Sequence, residues 1–497
     1  MVSISLHEIN RKHDLIAVAI IGLYCLLHFM LRLLVSPSME LDESEQFLQG
    51  ISLNLRPQPF LYSFIVKTVS LVGGQNFLTI IIVKYLILFA FYLFFYVLAR
   101  SYWNARESLV VTASLTFLPT YSYEFIRDLS HSILASAFAV LSAFLYIRIL
   151  SSRNLNFYFA LLVTLCLGVL SKYVFFFFLA AIVLSDIFVK ERWKAIKKKS
   201  GLLLIMLASI AAITFFILLK SGSFPFLQRI IETVPHGTLN LRSPLKVFKL
   251  LFVGFIELLI FAAVFLLFFH KQISVRTGIG SRVTVFFRSL AVFGILMPLL
   301  AILLIHIDRF KPRWLAPVVF TFPLAFFSLV DLKKNRKLST LFAYCCMAIA
   351  ILIFLSRAFL GFFPDVTGKK ERIHIPFQAL TTELRHRIVD LEAGDTRNLV
   401  IISNDRHLIA NMMLWVPVHK YALVDIDKGL FTGENPAETK KNGGIIVWDA
   451  SSQGEAIPKY FLEIFPSARQ LEPLRAPYIH SNKTFSMGIA VIPKSAP

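Results

Sequence analysis

Acidic side chains follow the first long apolar run of the chain. Asp42, Glu43 and Glu45 lie within four positions of one another, shortly after a run that ends near residue 35. A carboxylate at the end of a membrane span can act as a general base and take a proton from an acceptor hydroxyl. Acidic residues in a first helical turn can also cap the helix and complement its dipole. The pattern predicts a helix start in which Asp42 and Glu43 are catalytic candidates, with capping as the alternative.

A second ionisable group occupies a very short turn between two apolar runs. Glu124, Arg127, Asp128 and His131 are crowded into eight positions there. Charge beside a bilayer is costly, so such residues are functional candidates by default. Asp128 becomes the second catalytic candidate and Arg127 a substrate-binding candidate. The alternative is an internal pair of Glu124 with Arg127, three residues apart on one helical face.

Cationic side chains stand at two further turns. Lys172 separates two otherwise apolar runs, and Arg309 and Arg313 precede Trp314. Guanidinium and ammonium groups are strong donors to phosphate oxygens, so these three residues are candidates for binding a phosphate or diphosphate. For the arginines the alternative is snorkelling of long side chains toward lipid headgroups. Two more charges, Lys84 and Glu257, fall in the middle of apolar runs. They can pair with each other or with backbone groups, and the sequence does not show which.

Composition identifies the kind of molecule that must position these groups. The chain has 497 residues, a net charge of +21, 57% hydrophobic residues and only 16% charged residues. That is too little charge for a soluble surface and too much apolar content for a disordered chain. All four cysteines lie in apolar runs, so they offer neither a disulfide framework nor a set of zinc ligands. The basic residues lie mostly in short links between apolar runs, so nucleic acid is not an expected partner. The composition therefore predicts a polytopic membrane protein.

A bilayer core about 30 Å thick needs about 20 apolar residues in a helix. The sequence predicts eleven such spans, the first of them an uncleaved anchor. They are 15–35, 78–99, 108–126, 130–150, 155–171, 173–189, 201–219, 248–269, 289–306, 314–331 and 338–360.

The distribution of Lys and Arg predicts the orientation of these spans. Basic links stay on the cytoplasmic side, and with an inside N-terminus every second link is basic. The candidate residues then lie at the outer face, as does the C-terminal part of the chain. Residues 361–497 lack long apolar runs and alternate helix-like with strand-like segments, which predicts a small extracytoplasmic α/β domain. The expected domains are a membrane bundle, 1–360, and this C-terminal domain, 361–497.

Taken in order, these features resemble the GT-C superfamily of integral-membrane glycosyltransferases. The branch is that of the lipid A aminoarabinose transferases and protein O-mannosyltransferases, and the rhizobial transferases that add galacturonic acid to lipopolysaccharide are also similar. The resemblance covers about residues 10–330. It rests on the acidic pair Asp42-Glu43, the Pro-x-Pro-Phe-Leu-Tyr entry to an interfacial helix at 57–62, the Ser-Lys-Tyr turn with Lys172, and the Arg-Phe-Lys-Pro-Arg-Trp segment that begins at Arg309.

The resemblance implies a catalytic bundle in residues 1–360 that moves a sugar from a polyprenyl-phosphate donor to a lipopolysaccharide or lipid A acceptor, with inversion. It places Lys172, Arg309, Arg313, Arg127 and Tyr62 with the substrates, and the enzyme in the inner membrane with a periplasmic active site. Membrane lipids are further expected partners. The resemblance implies no particular cofactor, and it leaves open whether the enzyme needs a divalent cation. The alternatives are a protein O-mannosyltransferase-like enzyme and a lipid-linked glycan polymerase or flippase. A transporter with paired halves is disfavoured because no such symmetry is evident.

Overall fold

The computed structural model describes most of the chain, and the statements below concern those residues. They are 11–51, 59–151, 154–188, 244–273, 282–304, 311–368, 370–390, 399–416, 420–425 and 430–494. The predicted span at 201–219 lies outside them, as does Arg309.

Apolar helices dominate the first 362 residues, as the composition requires. The helices of this part are α1 (Arg11–Val35), α2 (Leu41–Ile51), α3 (Leu61–Gly73), α4 (Phe77–Arg100), α5 (Ala105–Ala113), α6 (Phe125–Arg127), α7 (Ser130–Ser151), α8 (Leu155–Ser171), α9 (Phe175–Phe188), α10 (Pro244–Phe269), α11 (Arg282–Leu304), α12 (Ala316–Val319), α13 (Thr321–Phe327) and α14 (Arg336–Phe362).

Six helical segments in the described part are long and apolar enough to cross a membrane. They are Lys12–Val35, Phe77–Arg100, Ser130–Ser151, Phe252–Gln272, Arg282–Ala301 and Arg336–Phe362. Three shorter apolar helices, Leu61–Gly73, Leu155–Ser171 and Phe175–Asp186, accompany them. The chain is a multi-pass membrane protein, as predicted.

Two predicted spans are not continuous helices. Within 108–126, α5 gives way to a 3₁₀ turn at Ser114–Phe117 and a π-helical turn at Thr120–Glu124. Pro119 separates these turns and cannot donate a backbone hydrogen bond. Within 314–331, a 3₁₀ turn and two short helices replace the expected span. Hydropathy identifies the apolar run but does not detect an interruption of the helix within it.

The C-terminal part forms the expected α/β domain around one mixed sheet. Its strands are β1 (Val400–Ser403), β2 (Lys420–Asp425), β3 (Leu430–Gly433), β4 (Gly444–Asp449), β5 (Arg469–Gln470), β6 (Leu474–Pro477) and β7 (Thr484–Ile492). The strand order is β3-β2-β1-β4-β7-β5, and β6 also pairs with β7. Strand β1 runs parallel to β2 and β4, and the other pairs are antiparallel.

Short helices accompany this sheet. They are α15 (Pro364–Thr367), α16 (Phe377–Asp390), α17 (Arg406–Trp415), α18 (Pro436–Asn442), α19 (Ala450–Gln453) and α20 (Lys459–Ile464). Side chains of β1, β4 and β7 form one core with Phe461 of α20 and with Phe465 just after it. Helix α17 packs against β1, β2 and β4.

The chain divides into two compact units, each built from segments that are distant in sequence. One consists of Met1–Leu27, Arg56–Tyr62 and Tyr85–Ile353, and we call it the bundle unit. The other consists of His28–Leu55, Ser63–Lys84 and Phe354–Pro497, and we call it the α2 unit because it contains α2 and the α/β domain. Each unit holds part of the predicted site.

Candidate active site

In the α2 unit, the predicted acidic pair sits at the start of α2. Glu40 precedes the helix, and its carbonyl accepts the first helical hydrogen bond, from the Ser44 amide at 2.8 Å. Glu43, three residues on, accepts a bond from the Glu40 amide at 2.8 Å. This is half of a capping box, so the capping alternative holds for Glu43. Asp42 is partly exposed, whereas the Glu43 side chain is fully buried.

Two buried cations neutralise Glu43. Arg32 Nη2 lies 2.8 Å from one carboxylate oxygen, and Lys84 Nζ lies 2.9 Å from the other. Burial by itself would raise the pKa of Glu43, but the charges of Arg32 and Lys84 outweigh it and hold that pKa well below its usual range. Arg32 also donates to the carbonyls of Ser36 at 2.8 Å and Ser38 at 2.6 Å. The turn before α2 is therefore tied to the helix by one charge cluster.

This environment separates the roles of the two predicted catalytic carboxylates. Both oxygens of Glu43 are engaged with cations, and the side chain is closed to solvent, so its geometry fits an anchor and does not fit a base. Asp42 remains as the accessible carboxylate of the pair. Arg32, which sequence reasoning passed over, carried a usable signal, since it is a charge in the last turn of an apolar span.

Glu40 is a third carboxylate in the same corner. It is 6% exposed, and its Oε1 has no hydrogen-bond partner among the residues that the structure describes. Burial, and then the neighbouring charge of Glu43, raise the pKa of Glu40 to about 7. Glu40 therefore changes charge near neutral pH while Glu43 stays ionised.

In the bundle unit, the interrupted span leads to the second predicted carboxylate. Side chains from other helices satisfy backbone groups that the irregular turns leave open. Tyr92 donates to the Tyr121 carbonyl at 3.0 Å, and the Tyr121 hydroxyl donates to the Ala316 carbonyl at 2.6 Å. Irregular backbone is tolerated at membrane depth only where such partners exist.

Glu257, the buried charge of α10, is one of those partners. Its Oε2 accepts from the Thr120 amide and its Oε1 accepts from the Thr120 hydroxyl, both at 3.1 Å. The side chain is 3% exposed. Among the described residues, no cation forms an ion pair with it. Glu257 therefore binds the first residue of the π-helical turn through two neutral donors.

The turn ends in the predicted outer cluster. Glu124 and Arg127 form, at 3.0 Å, the i, i+3 ion pair that was the alternative interpretation of these residues. Asp128 follows at 9% exposure, and its amide donates to the Glu124 carbonyl. Leu129 has a φ of 52°, a left-handed conformation that is costly for a branched residue. Strain at this position fits a turn whose shape is held by its surroundings.

The start of helix α7 contacts two of the predicted substrate-binding residues, Tyr62 and Lys172. The Tyr62 ring lies 5.3 Å from the ring of His131. Lys172, which follows the last residue of α8, is 8% exposed and donates to the hydroxyl of Ser132. Tyr62 and Lys172 thus contact adjacent residues of one helix turn. Arg313 lies partly exposed in the 3₁₀ turn Pro312–Leu315.

No metal centre is evident in these parts of the chain. Within the described ranges, no three His, Cys, Asp or Glu side chains come close enough to hold a metal ion together. Each unit by itself offers carboxylates and cationic groups, which suit proton transfer and the binding of an anion.

The sequence of this chain is similar to sequences of known glycosyltransferases. Residues 57–218 match the family of dolichyl-phosphate-mannose-protein mannosyltransferases. Two lipopolysaccharide core galacturonosyltransferases of Rhizobium johnstonii, RgtB and RgtA, are 25% and 24% identical over 494 and 510 residues. Each alignment covers 95% of this chain and 96% of the relative.

Solved structures agree at the level of the fold. The structure of ArnT from Cupriavidus metallidurans superposes with a TM-score of 0.58 at 12% identity, over 97% of this chain and 99% of that chain. The same protein bound to undecaprenyl phosphate gives the same values. The chain therefore has the GT-C fold of ArnT. The predicted fold class is confirmed, and the family match and the relatives agree with the predicted superfamily and enzyme class.

Proposed function

We propose that this GT-C protein moves a sugar from a polyprenyl-phosphate donor to lipopolysaccharide at the periplasmic face of the inner membrane, with inversion. Two similarities support the substrates: the curated relatives act on the lipopolysaccharide core, and the ArnT structure holds undecaprenyl phosphate. The names of those relatives suggest galacturonic acid as the sugar.

The observation that carries the assignment of the base is the contrast within the acidic pair. Glu43 is sealed between two cations, and its neighbour Asp42 is partly exposed on the same helix turn. We assign to Asp42 the removal of the proton from the acceptor hydroxyl. The freed oxygen attacks the anomeric carbon, and the bond from that carbon to the phosphate oxygen breaks.

The departing polyprenyl phosphate carries the negative charge away. We assign its stabilisation to Lys172, Arg309 and Arg313, because charge-assisted hydrogen bonds from cations stabilise a developing phosphate anion. Arg127 and Tyr62 are proposed as substrate-binding residues, and Asp128 as the second carboxylate at the outer turn. Residues 1–360 form the catalytic bundle in this proposal, and 361–497 form a periplasmic domain.

The match to protein mannosyltransferases favours one second candidate, transfer to a protein acceptor. That match covers residues 57–218, whereas the lipopolysaccharide-modifying relatives align with 95% of the chain. Mass spectrometry of lipopolysaccharide and lipid A from cells with and without the gene separates the two. A sugar lost from lipopolysaccharide supports the proposal, and unchanged lipopolysaccharide with an altered glycoprotein contradicts it.

The base assignment is tested by Asp42→Asn and Asp128→Asn, made singly. General-base catalysis contributes about 10²- to 10⁴-fold, so loss of the base lowers turnover by that factor while folded protein remains in the membrane. Glu463→Gln, at an exposed site in the α/β domain, is the matched control and keeps full activity. Near-wild-type turnover in both Asp variants would show that neither carboxylate is the base. A reporter fused after Pro497 checks the proposed orientation and must lie in the periplasm.

A further inference from the structure

Helix α17 of the α/β domain packs directly against α2, the helix that carries Asp42. Both helices belong to the α2 unit. Their contact is polar as well as apolar, and the polar part is concentrated on the residues just before and after Asp42. Buried polar contacts of this kind fix one geometry, because each group left without its partner is costly.

Asn411 is the centre of the contact. Its side chain is fully buried, and its Oδ1 accepts from the Met39 amide at 2.8 Å. Its Nδ2 donates to the His407 carbonyl at 3.0 Å and to the Ser44 hydroxyl at 3.3 Å. Met39 lies three residues before Asp42 and Ser44 two residues after it. The side-chain amide of Asn411 therefore bonds to residues on both sides of Asp42 at the start of α2.

His407, one turn earlier on α17, forms a second hydrogen bond with Met39. Its Nε2 lies 2.7 Å from the Met39 carbonyl, so this nitrogen carries the proton and donates it. The ring is 1% exposed, and burial lowers the pKa of His407 to about 4, which keeps the imidazole neutral at physiological pH. Both backbone polar groups of Met39 are thus held by side chains of α17.

An ion pair adds to the contact at its edge. Arg406 Nη1 lies 2.9 Å from Oε2 of Glu45, which is three residues beyond Asp42. The arginine is partly exposed, so this pair contributes less than the buried amide and imidazole. The three contacts flank Asp42 on both sides along the chain and leave its own side chain accessible.

We propose that Asn411 and His407 are positioning residues for Asp42, through which the α/β domain takes part in catalysis. The inference rests on the proposed function, since it makes Asp42 the group that is positioned. An enzyme loses rate when a reacting group is displaced by about 1 Å, even where the change lies away from the chemistry. The α/β domain therefore sets how Asp42 meets the acceptor hydroxyl.

The test uses the full-length protein in lipid nanodiscs and four variants. Asn411→Leu removes the amide but keeps the branched shape and the number of heavy atoms, and His407→Phe keeps a ring without its donor. His407→Gln restores an N–H donor close to the Nε2 position. Met413→Leu is a volume-matched change at a buried position of the same helix and removes none of these bonds. Turnover per folded molecule and the KM for the lipid-linked donor are measured for each.

We expect kcat to fall about 10- to 100-fold in Asn411→Leu and His407→Phe, since losing a buried hydrogen bond displaces the helix start. The donor KM stays within about twofold, His407→Gln recovers most of kcat, and Met413→Leu matches the wild type. A merely structural role would lower the folded yield and leave kcat per folded molecule unchanged. That outcome would overturn the proposal.

A second measurement does not depend on activity. The maleimide labelling rate of Asp42→Cys is compared with and without Asn411→Leu, and the protein without the introduced cysteine gives the background. An unchanged rate contradicts positioning by Asn411. Failure of the wild type to transfer any sugar would instead count against the proposed function, so the two failures are distinguishable.

Discussion

Glu43 and Glu257 are both buried carboxylates that hold a helical turn near a proposed catalytic residue, yet their surroundings are opposite. Glu43 lies between Arg32 and Lys84 and is fully neutralised by them. Glu257 is bonded to the amide and hydroxyl of one neutral residue, Thr120. Ion pairs therefore hold the turn at Glu43, and hydrogen bonds from neutral groups hold the turn that begins at Thr120.

The difference teaches what each position requires of its side chain. A site between two buried cations needs a negative charge, because unpaired charges in a low-dielectric interior are strongly unfavourable. A site that closes an open backbone amide needs an acceptor of the right shape, charged or neutral. Substitution by glutamine keeps shape and removes charge, so it distinguishes the two sites.

The largest effect is expected for Glu43→Gln. The change removes the carboxylate that pairs with both Arg32 and Lys84, and breaking a buried pair in this way costs about 3–5 kcal/mol. We expect a large drop in the thermal unfolding temperature and in the yield of folded protein. Asp42→Asn, one residue away and partly exposed, is the control and keeps the fold. Equal stability of the two variants would break the comparison.

A smaller effect is expected at Glu257, and it depends on the substituent. Glu257→Leu leaves the Thr120 amide without an acceptor, a loss of about 1–3 kcal/mol that also loosens the turn leading to Asp128. Glu257→Gln can accept from that amide and donate to the hydroxyl, so its unfolding temperature and turnover should stay near those of the wild type. A Gln variant as impaired as the Leu variant would mean that the charge of Glu257 is required.

The smallest effect, and one that depends on pH, is expected for Glu40→Gln. Burial, and then the charge of Glu43, raise the pKa of Glu40 to about 7, above its unfolded value near 4.5. Its contribution to stability is therefore complete below pH 4.5 and is lost as pH rises through 7. The variant should match the wild type at about pH 4 and become the more stable of the two as pH rises to about 8, where the wild-type carboxyl is ionised. A difference that does not change between these pH values would contradict this.

Much of the architecture could be predicted from single residues and their order. Long apolar runs predicted α1, α4, α7 and α14 within a few residues, and loss of those runs after residue 360 predicted the α/β fold. Spans 108–126 and 314–331 were wrong as continuous helices, since hydropathy measures the apolar content of a run and does not register breaks within it, such as the one at Pro119 in the first span. The i, i+3 pair of Glu124 and Arg127 was predictable because its geometry is local.

The partners of isolated charges could not be predicted. Lys84 and Glu257 were recognised as buried charges, but the sequence does not show that Lys84 meets Glu43, 41 positions earlier, or that Glu257 meets Thr120, 137 positions earlier. Asn411 gave no signal at all, because a single asparagine in an amphipathic helix of the α/β domain is unremarkable. Long-range pairing depends on how the elements pack, and local pattern carries no record of it.

The sequence by itself determined that this is a multi-pass membrane protein with acidic and basic residues at the ends of its apolar runs, because the bilayer demands long apolar helices and expels charge from them. Tertiary structure alone decided which carboxylate is sealed and which is accessible. That choice depends on Arg32 and Lys84 reaching the buried Glu43 from separate helices, while Asp42 stays partly exposed. Burial and charge pairing are set by packing in three dimensions, so two adjacent acids that look equivalent in the sequence acquire different chemistry.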